Sequence, residues 1–284
     1  MKQNSKFKVY KGIQVKKRLG QHFLQDEDAL HSIGNIILQA KAARIIEIGV
    51  GTGELTDYYR HDCTDIHLIE IDKDMITLLN KKYDQVPSIK LHQADATKFD
   101  YSCLLKGDID TLVTGNLPYG SAIQILKRLV RYRHLFSSLV VMLQNEVAHK
   151  LIADHGSKAF ASISVFFQYY FDSHLNLKIN RASFYPVPKI DSAVMTMVPH
   201  FRFNLPPEVE RSFQKLVHAA FLQRRKKIIN SLGLSRLINV SKERLEDQFR
   251  LAGINPELRA EEIPTVKYVD LAVSLHQCMT GPGD

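Results

Sequence analysis

Between residues 44 and 143, short apolar runs alternate with amphipathic stretches, and this alternation admits few folds. ARIIEIG, DIHLIEID, SIKLHQAD, DIDTLVTGN and FSSLVVML read as buried strands; GELTDYYRH, KDMITLLNKKY and residues 122–133 read as the helices between them. Such repetition builds a parallel sheet covered on both faces, so the expected class is α/β and Rossmann-like. Residues 24–40 read as an amphipathic helix that Asp26 or Asp28 can cap. ISVFFQYYF and KIDSAVMTMVPH read as later strands, the second after a proline-bearing loop, YPVPK. Beyond Pro206-Pro207, segments 208–222, 241–252 and 266–278 read as helices, with Thr265 capping the last. The expected division is a flexible basic tail over 1–15, a Rossmann-like domain over 16–203 and a small helical domain over 204–284.

The first of these strands runs into EIGVGTGELT, with glycines at Gly49, Gly51 and Gly53. Glycine lets the backbone turn sharply and lets a ligand approach where a Cβ would stand. A dinucleotide fingerprint starting at Gly49 would need a glycine where Glu54 stands, and an acid there repels a pyrophosphate. E-x-G-x-G-x-G, opening with Glu47, suits a phosphate-free ligand bearing a positive sulfonium. Glu70 closes the second strand about 20 residues on, where a carboxylate can accept from both ribose hydroxyls. Asp95, in QADA after the third strand, is placed to meet an adenine.

Asn116-Leu117-Pro118-Tyr119 ends the fourth strand with the layout of the (Asn/Asp/Ser)-Pro-Pro-(Tyr/Phe) loop of amino-group methyltransferases. An adenine exocyclic amine is a poor nucleophile because its lone pair is delocalised into the ring. Two acceptors, the Asn116 side-chain oxygen and the Leu117 carbonyl, can bond both amine protons and favour a pyramidal nitrogen. Pro118 stiffens the turn and Tyr119 offers an aromatic face. No strong general base is required; alignment and electrostatics carry the rate. Phe184, in SFYPVPK, is the candidate for a second wall against an extruded base.

With 38 Lys and Arg against 30 Asp and Glu, the net charge of +8 favours an anionic partner. The first 25 residues hold seven basic side chains, among them Lys16, Lys17 and Arg18, and no acidic one. A second cluster is Arg224-Arg225-Lys226-Lys227, and both are candidates for contact with nucleic-acid phosphates. Three dispersed cysteines and histidines without metal-like spacing indicate neither disulfides nor a metal. The sequence carries no signal-peptide pattern and no membrane-length apolar run, so the expectation is a soluble, cytoplasmic monomer.

KKRLGQHFL, EIGVGTGELT, IEID, QADA, GNLPY, MLQNEV, SKAFASISV and SFYPVPKIDSAV together resemble the ribosomal RNA adenine dimethyltransferase family. The likeness runs from about Lys16 to Arg259. It implies S-adenosylmethionine as cofactor, leaving as S-adenosylhomocysteine. It places Gln21 and the backbone near Leu24 at the methionine part, Glu70 at the ribose and Asp95 at the adenine, with His22, Glu47, the three glycines, Ile71, Ala96 and Asn116 also in the cofactor site. Asn116, Leu117, Pro118 and Tyr119 then meet the target amine, with Phe184 as the second stacking aromatic. Chain length and the helical tail are most similar to the branch that dimethylates two adjacent adenosines in the 3′-terminal hairpin of 16S RNA, within an immature small subunit. Rival readings are an enzyme of large-subunit RNA, a noncatalytic RNA-binding factor and a DNA adenine methyltransferase. Two departures stand out: Val50 between the first glycines, where proline is usual, and Gly120-Ser121 after Tyr119, where a more mobile loop bears on the second transfer.

Overall fold

Isoleucine, leucine and valine fill both faces of the central strands, so the sheet they form must be covered on two sides. The computed structural model describes residues 8–280 other than 106, 108 and 239; the side chains of residues 17 and 278–280 are also outside it. The described chain opens with a hairpin of β1 (Val9–Tyr10) and β2 (Ile13–Gln14), followed by β3 (Phe23–Leu24) and α1 (Glu27–Gln39). Asp26 caps α1, its carboxylate accepting from the Ala29 N–H at 3.1 Å. Strands and helices then alternate as β4 (Arg44–Ile48), α2 (Glu54–Tyr59), β5 (Asp65–Glu70), α3 (Lys73–Tyr83), β6 (Ile89–Gln93), β7 (Thr111–Asn116), α4 (Ala122–Val130) and β8 (Ser138–Gln144). After these come α5 (Asn145–Leu151), α6 (Ser162–Tyr170), β9 (Phe171–Ile179), β10 (Phe184–Tyr185) and β11 (Ser192–Pro199). The chain finishes with α7 (Pro207–Phe221), α8 (Ile228–Gly233), α9 (Lys242–Leu251) and α10 (Thr265–Thr280).

Seven strands share one sheet in the order β6-β5-β4-β7-β8-β11-β9. β4 pairs in parallel with β5 and β7, as do β5 with β6 and β7 with β8, while β11 runs antiparallel to β8. This is the α/β, Rossmann-like class expected. The chain steps outward from β4 to β6 and returns on the other side of β4 as β7. The carboxyl ends of β4 and β7 therefore flank the point where strand order reverses, the usual place for a ligand in such sheets.

Within the described residues the chain forms two compact units, Met1–Ala148 with His174–Pro199, and His149–Ser173 with His200–Asp284. A single cut at residue 203 does not describe this division. ISVFFQYYF, expected as a strand, is instead mostly α6, which packs on α7 and α10 inside the second unit. Val165, Phe167, Tyr169 and Tyr170 of α6 are all buried. A run apolar on every side has no period that separates helix from strand. The expected tail is likewise corrected over residues 8–15, where the hairpin forms and Tyr10 and Val15 are buried; residues 1–7 lie outside the described residues. Thr265 starts α10, and its hydroxyl donates to Gln168 Oε1 at 2.8 Å rather than capping the helix. No helix among the described residues is long and apolar enough to cross a membrane.

Candidate active site

β4 and β7 approach so closely that a Cβ on Gly115, at φ 155°, would stand 2.1 Å from the Ile48 carbonyl oxygen. That contact sets the glycine turn after β4 against the loop after β7: a Cβ on Gly49 would lie 3.3 Å from the Asn116 carbonyl oxygen. A cavity of about 540 Å³ opens where the two meet, within the ~300–1,000 Å³ typical of ligand pockets. Every cofactor and catalytic candidate from the sequence lines it except Gly53 and Phe184. Gly53 stands behind the wall as the N-cap of α2, its carbonyl accepting from the Tyr83 hydroxyl at 2.9 Å.

The cavity wall is rich in carboxylates, each already tied to the scaffold. Glu47 is buried at the end of β4, and one of its oxygens accepts from Thr56 Oγ1 at 2.6 Å and from the Tyr59 hydroxyl, which pins α2 to the sheet. Burial pushes its carboxyl up to about 7 against those two hydrogen bonds. The folded-state value lies above the ordinary 4.5, so the associated stability is complete below about 4.5 and is lost as pH rises through 7. Glu47→Gln can keep both bonds on its carbonyl oxygen. It is expected to flatten the dependence of Tm on pH across that window; an unchanged slope would clear this carboxyl as its source.

Glu70 accepts the Ile71 and Asp72 N–H groups on Oε1, at 2.8 and 2.9 Å, and the Gly51 N–H on Oε2 at 3.0 Å. Burial raises its carboxyl above the usual range. With two donors already on Oε1, only Oε2 retains a vacant lone pair. The expectation that it takes both ribose hydroxyls is therefore reduced to one. Asp95 uses Oδ1 to accept from the Thr97 amide and hydroxyl, at 2.9 and 2.7 Å, and these bonds hold its carboxyl below the usual range.

Residues 18–24 form another part of the wall, tied to the scaffold through Gln21 and the preceding Lys16. Gln21 accepts the Lys16 N–H at 2.7 Å and donates to Asp72 Oδ2 at 2.7 Å, which leaves one amide proton and one lone pair at the cavity wall. Lys16 pairs with Asp72 and, at 2.6 Å, with Asp74, and so anchors the segment. Arg18 is exposed and lines the cavity. The Lys17 side chain lies outside the described residues. In the second unit Arg224 is bonded to Glu261 and to the Phe160 carbonyl, and Lys227 to Glu257. Arg225 and Lys226 are exposed and make no ion pair among the described residues.

The loop after β7 presents the chemistry. Asn116 Nδ2 donates to the His22 carbonyl at 2.9 Å; that oxygen can only accept, so the amide is oriented with Oδ1 as its remaining acceptor. Leu117 N–H bonds the Met142 carbonyl at 3.1 Å, while no donor among the described residues meets the Leu117 carbonyl. The Pro118 carbonyl accepts from Ser121 and Ala122, starting α4 directly behind the loop. The Tyr119 hydroxyl shares a 2.6 Å bond with Ser192 Oγ, and burial raises its phenol above the usual value. Phe184 is 2% exposed and off the cavity wall: β10 pairs with β3, Phe184 opposite Leu24, and the ring belongs to the core. The ring beside Tyr119 is His22. Ser192 and Gly115 had no place in the sequence reading; a glycine inside an apolar strand was the one available signal.

A family model described as Ribosomal RNA adenine dimethylase matches residues 12–277. The chain belongs to the ribosomal RNA adenine dimethylase family. As a ribosomal RNA adenine dimethylase it is a methyltransferase, and similar curated proteins agree. It is 36% identical over 265 residues to Ribosomal RNA small subunit methyltransferase A of Coxiella burnetii, covering 92% of this chain and 98% of that one. The protein of the same name from Geobacter metallireducens is 35% identical over 263 residues, with 92% and 95% covered. The fold matches a dimethyladenosine transferase from Plasmodium falciparum (TM-score 0.71, 22% identity, 88% and 95% covered). It also matches the 23S rRNA methyltransferase ErmE (TM-score 0.66, 22% identity, 89% and 99% covered).

Proposed function

We propose that this enzyme uses S-adenosylmethionine to dimethylate two adjacent adenosines in the 3′-terminal hairpin of 16S RNA, within an immature small ribosomal subunit. One observation carries the reading: Asn116 Oδ1 and the Leu117 carbonyl are two neighbouring acceptors without an internal partner at the cavity wall. An exocyclic amine has two protons to donate, and bonding both draws the nitrogen toward a pyramidal shape with its lone pair projecting. The adenine must leave its stack to reach them. The name of the curated relatives, Ribosomal RNA small subunit methyltransferase A, supports the choice of subunit.

The cavity suits the cofactor chemically. Glu47, Glu54, Glu70 and Asp95 line it, a set that welcomes a sulfonium and disfavours a phosphate. Glu70 Oε2 would hold one ribose hydroxyl, Asp95 the adenine amine and the glycine turn the backbone-close part. S-adenosylmethionine supplies an electrophilic methyl carbon. The protein's part is alignment, with Asn116 and Leu117 fixing the amine and Tyr119 the plane of the base. Once methylated, the nitrogen is cationic and releases a proton to water, and the same acceptors then meet one remaining proton.

Small subunits with unmodified 16S RNA, incubated with labelled cofactor, are expected to yield dimethyladenosine at two adjacent positions by mass spectrometry of the digest. Label confined to large-subunit RNA or to duplex DNA would overturn the assignment. Arg225 and Lys226 are the phosphate contacts we assign in the second unit. Alanine at each is expected to lower the slope of log affinity against log salt by ~1 without changing Tm, whereas Lys16→Ala is expected to lower Tm.

A further inference from the structure

The turn after β6 carries Asp95 on a main chain that is fixed from behind. The Asp95 carbonyl accepts from the Lys98 and Phe99 N–H groups, both at 2.9 Å. The Ala96 carbonyl accepts from the hydroxyl of the buried Tyr101 at 3.0 Å. What is left to set is the rotation of the Asp95 carboxylate, and Thr97 sets it. The Thr97 N–H and hydroxyl both reach Oδ1, at 2.9 and 2.7 Å, and Asp95 and Thr97 both line the cavity.

Two donors fill the lone pairs of Oδ1 and leave Oδ2 as the open acceptor. Beside it, the Ala96 N–H meets no acceptor among the described residues. An acceptor next to a donor matches the edge of an adenine, whose amine donates and whose N1 accepts. A 6-oxopurine presents the reverse, an oxygen that accepts and an N1–H that donates. A carboxylate free to turn, or one that takes up a proton, no longer separates the two edges. The Thr97 hydroxyl acts against both. It pins the rotation, and its bond is the foremost cause that holds the carboxyl below the usual range.

We propose that Thr97 is a positioning residue that sets the base specificity of the cofactor site. Its hydroxyl keeps Asp95 Oδ2 turned out as an acceptor, so that the site admits an adenine nucleoside and refuses a 6-oxopurine one. This rests on the assignment of Asp95 to the cofactor adenine, and it adds a residue that works through Asp95.

Calorimetric titration of the full chain with S-adenosylhomocysteine and with its 6-oxo counterpart, S-inosylhomocysteine, tests it. The parent is expected to bind the inosyl compound about 10²-fold more weakly, since both bonds to the base edge are lost and two acceptors are set face to face. Thr97→Val keeps the branched shape and removes only the hydroxyl. It is expected to weaken the adenosyl compound about tenfold and to leave the inosyl compound within about twofold, so the ratio of the two Kd values falls about tenfold. Thr97→Ser restores the hydroxyl, and its ratio is expected to return to within about threefold of the parent. The acid limb of adenosyl affinity is expected to move to higher pH in Thr97→Val, because a carboxyl without that bond takes up a proton sooner. Equal weakening of both compounds in the valine variant would reduce Thr97 to a structural part of the turn and overturn the proposal. A parental ratio in Thr97→Val, or no recovery in Thr97→Ser, would do the same. Failure of the underlying assignment shows separately, as parental discrimination in Asp95→Ala.

Discussion

Asn116→Ala is expected to cut methyl transfer by about 10²–10³-fold, the cost of losing one preorganised hydrogen-bonding group aimed at a reacting centre. On the proposed reading affinity for S-adenosylhomocysteine should stay within about twofold, because the Asn116 amide donates to the His22 carbonyl and bonds none of the carboxylates assigned to the nucleoside. Single-turnover kinetics with saturating cofactor and small subunits reads the first quantity and calorimetry the second. Asn116→Asp sharpens the result. It keeps an oxygen for the amine but sets a carboxylate oxygen against the His22 carbonyl where a donor had been, so it should fall between parent and alanine. Transfer at the parental rate in the alanine variant would remove the paired-acceptor mechanism.

Gly115→Ala should be the most damaging single methyl group in the first unit. The added Cβ would lie 2.1 Å from the Ile48 oxygen and 3.1 Å from its carbon and nitrogen, all backbone atoms that cannot rotate away. The φ of 155° adds strain for any L side chain. Overpacking commonly costs about 1–3 kcal/mol and more where only backbone can yield, so urea denaturation should show a loss at or above the top of that range. Whatever protein folds should transfer poorly, since separating β4 from β7 also separates Gly49 from Asn116. Parental stability would mean that the strands do not meet as described.

The sheet was legible because its central strands are buried on both faces and read as unbroken apolar runs, from RIIEI to SLVVMLQ. The glycine turn and the NLPY loop were legible because their chemistry is local, confined to a few consecutive residues. What was missed depends on distance. Phe184 looks like a loop aromatic until β10 pairs with β3 and draws it into the core. Lys16, Arg224 and Lys227 look like free charge until Asp72, Glu261 and Glu257 fold onto them. Ser192 gains a role only when β11 lies beside β8 and reaches Tyr119. The hairpin at residues 9–14 had a usable signal in Lys11-Gly12, both at positive φ, but seven basic side chains in the first 25 residues dominated the reading.

The anchoring of residues 10–24 bears on how the molecule is born. Tyr10 and Lys11 reach Glu54, Gln21 and Lys16 reach Asp72, and His22 meets Asn116 and then Pro186, 94 and 164 residues away. This stretch therefore cannot complete its contacts until Pro186, 164 residues further on, has been made, and loop closure over such spans is slow. A nascent chain would assemble its central strands before this segment could finish docking, so competence to bind a nucleoside should follow formation of the sheet.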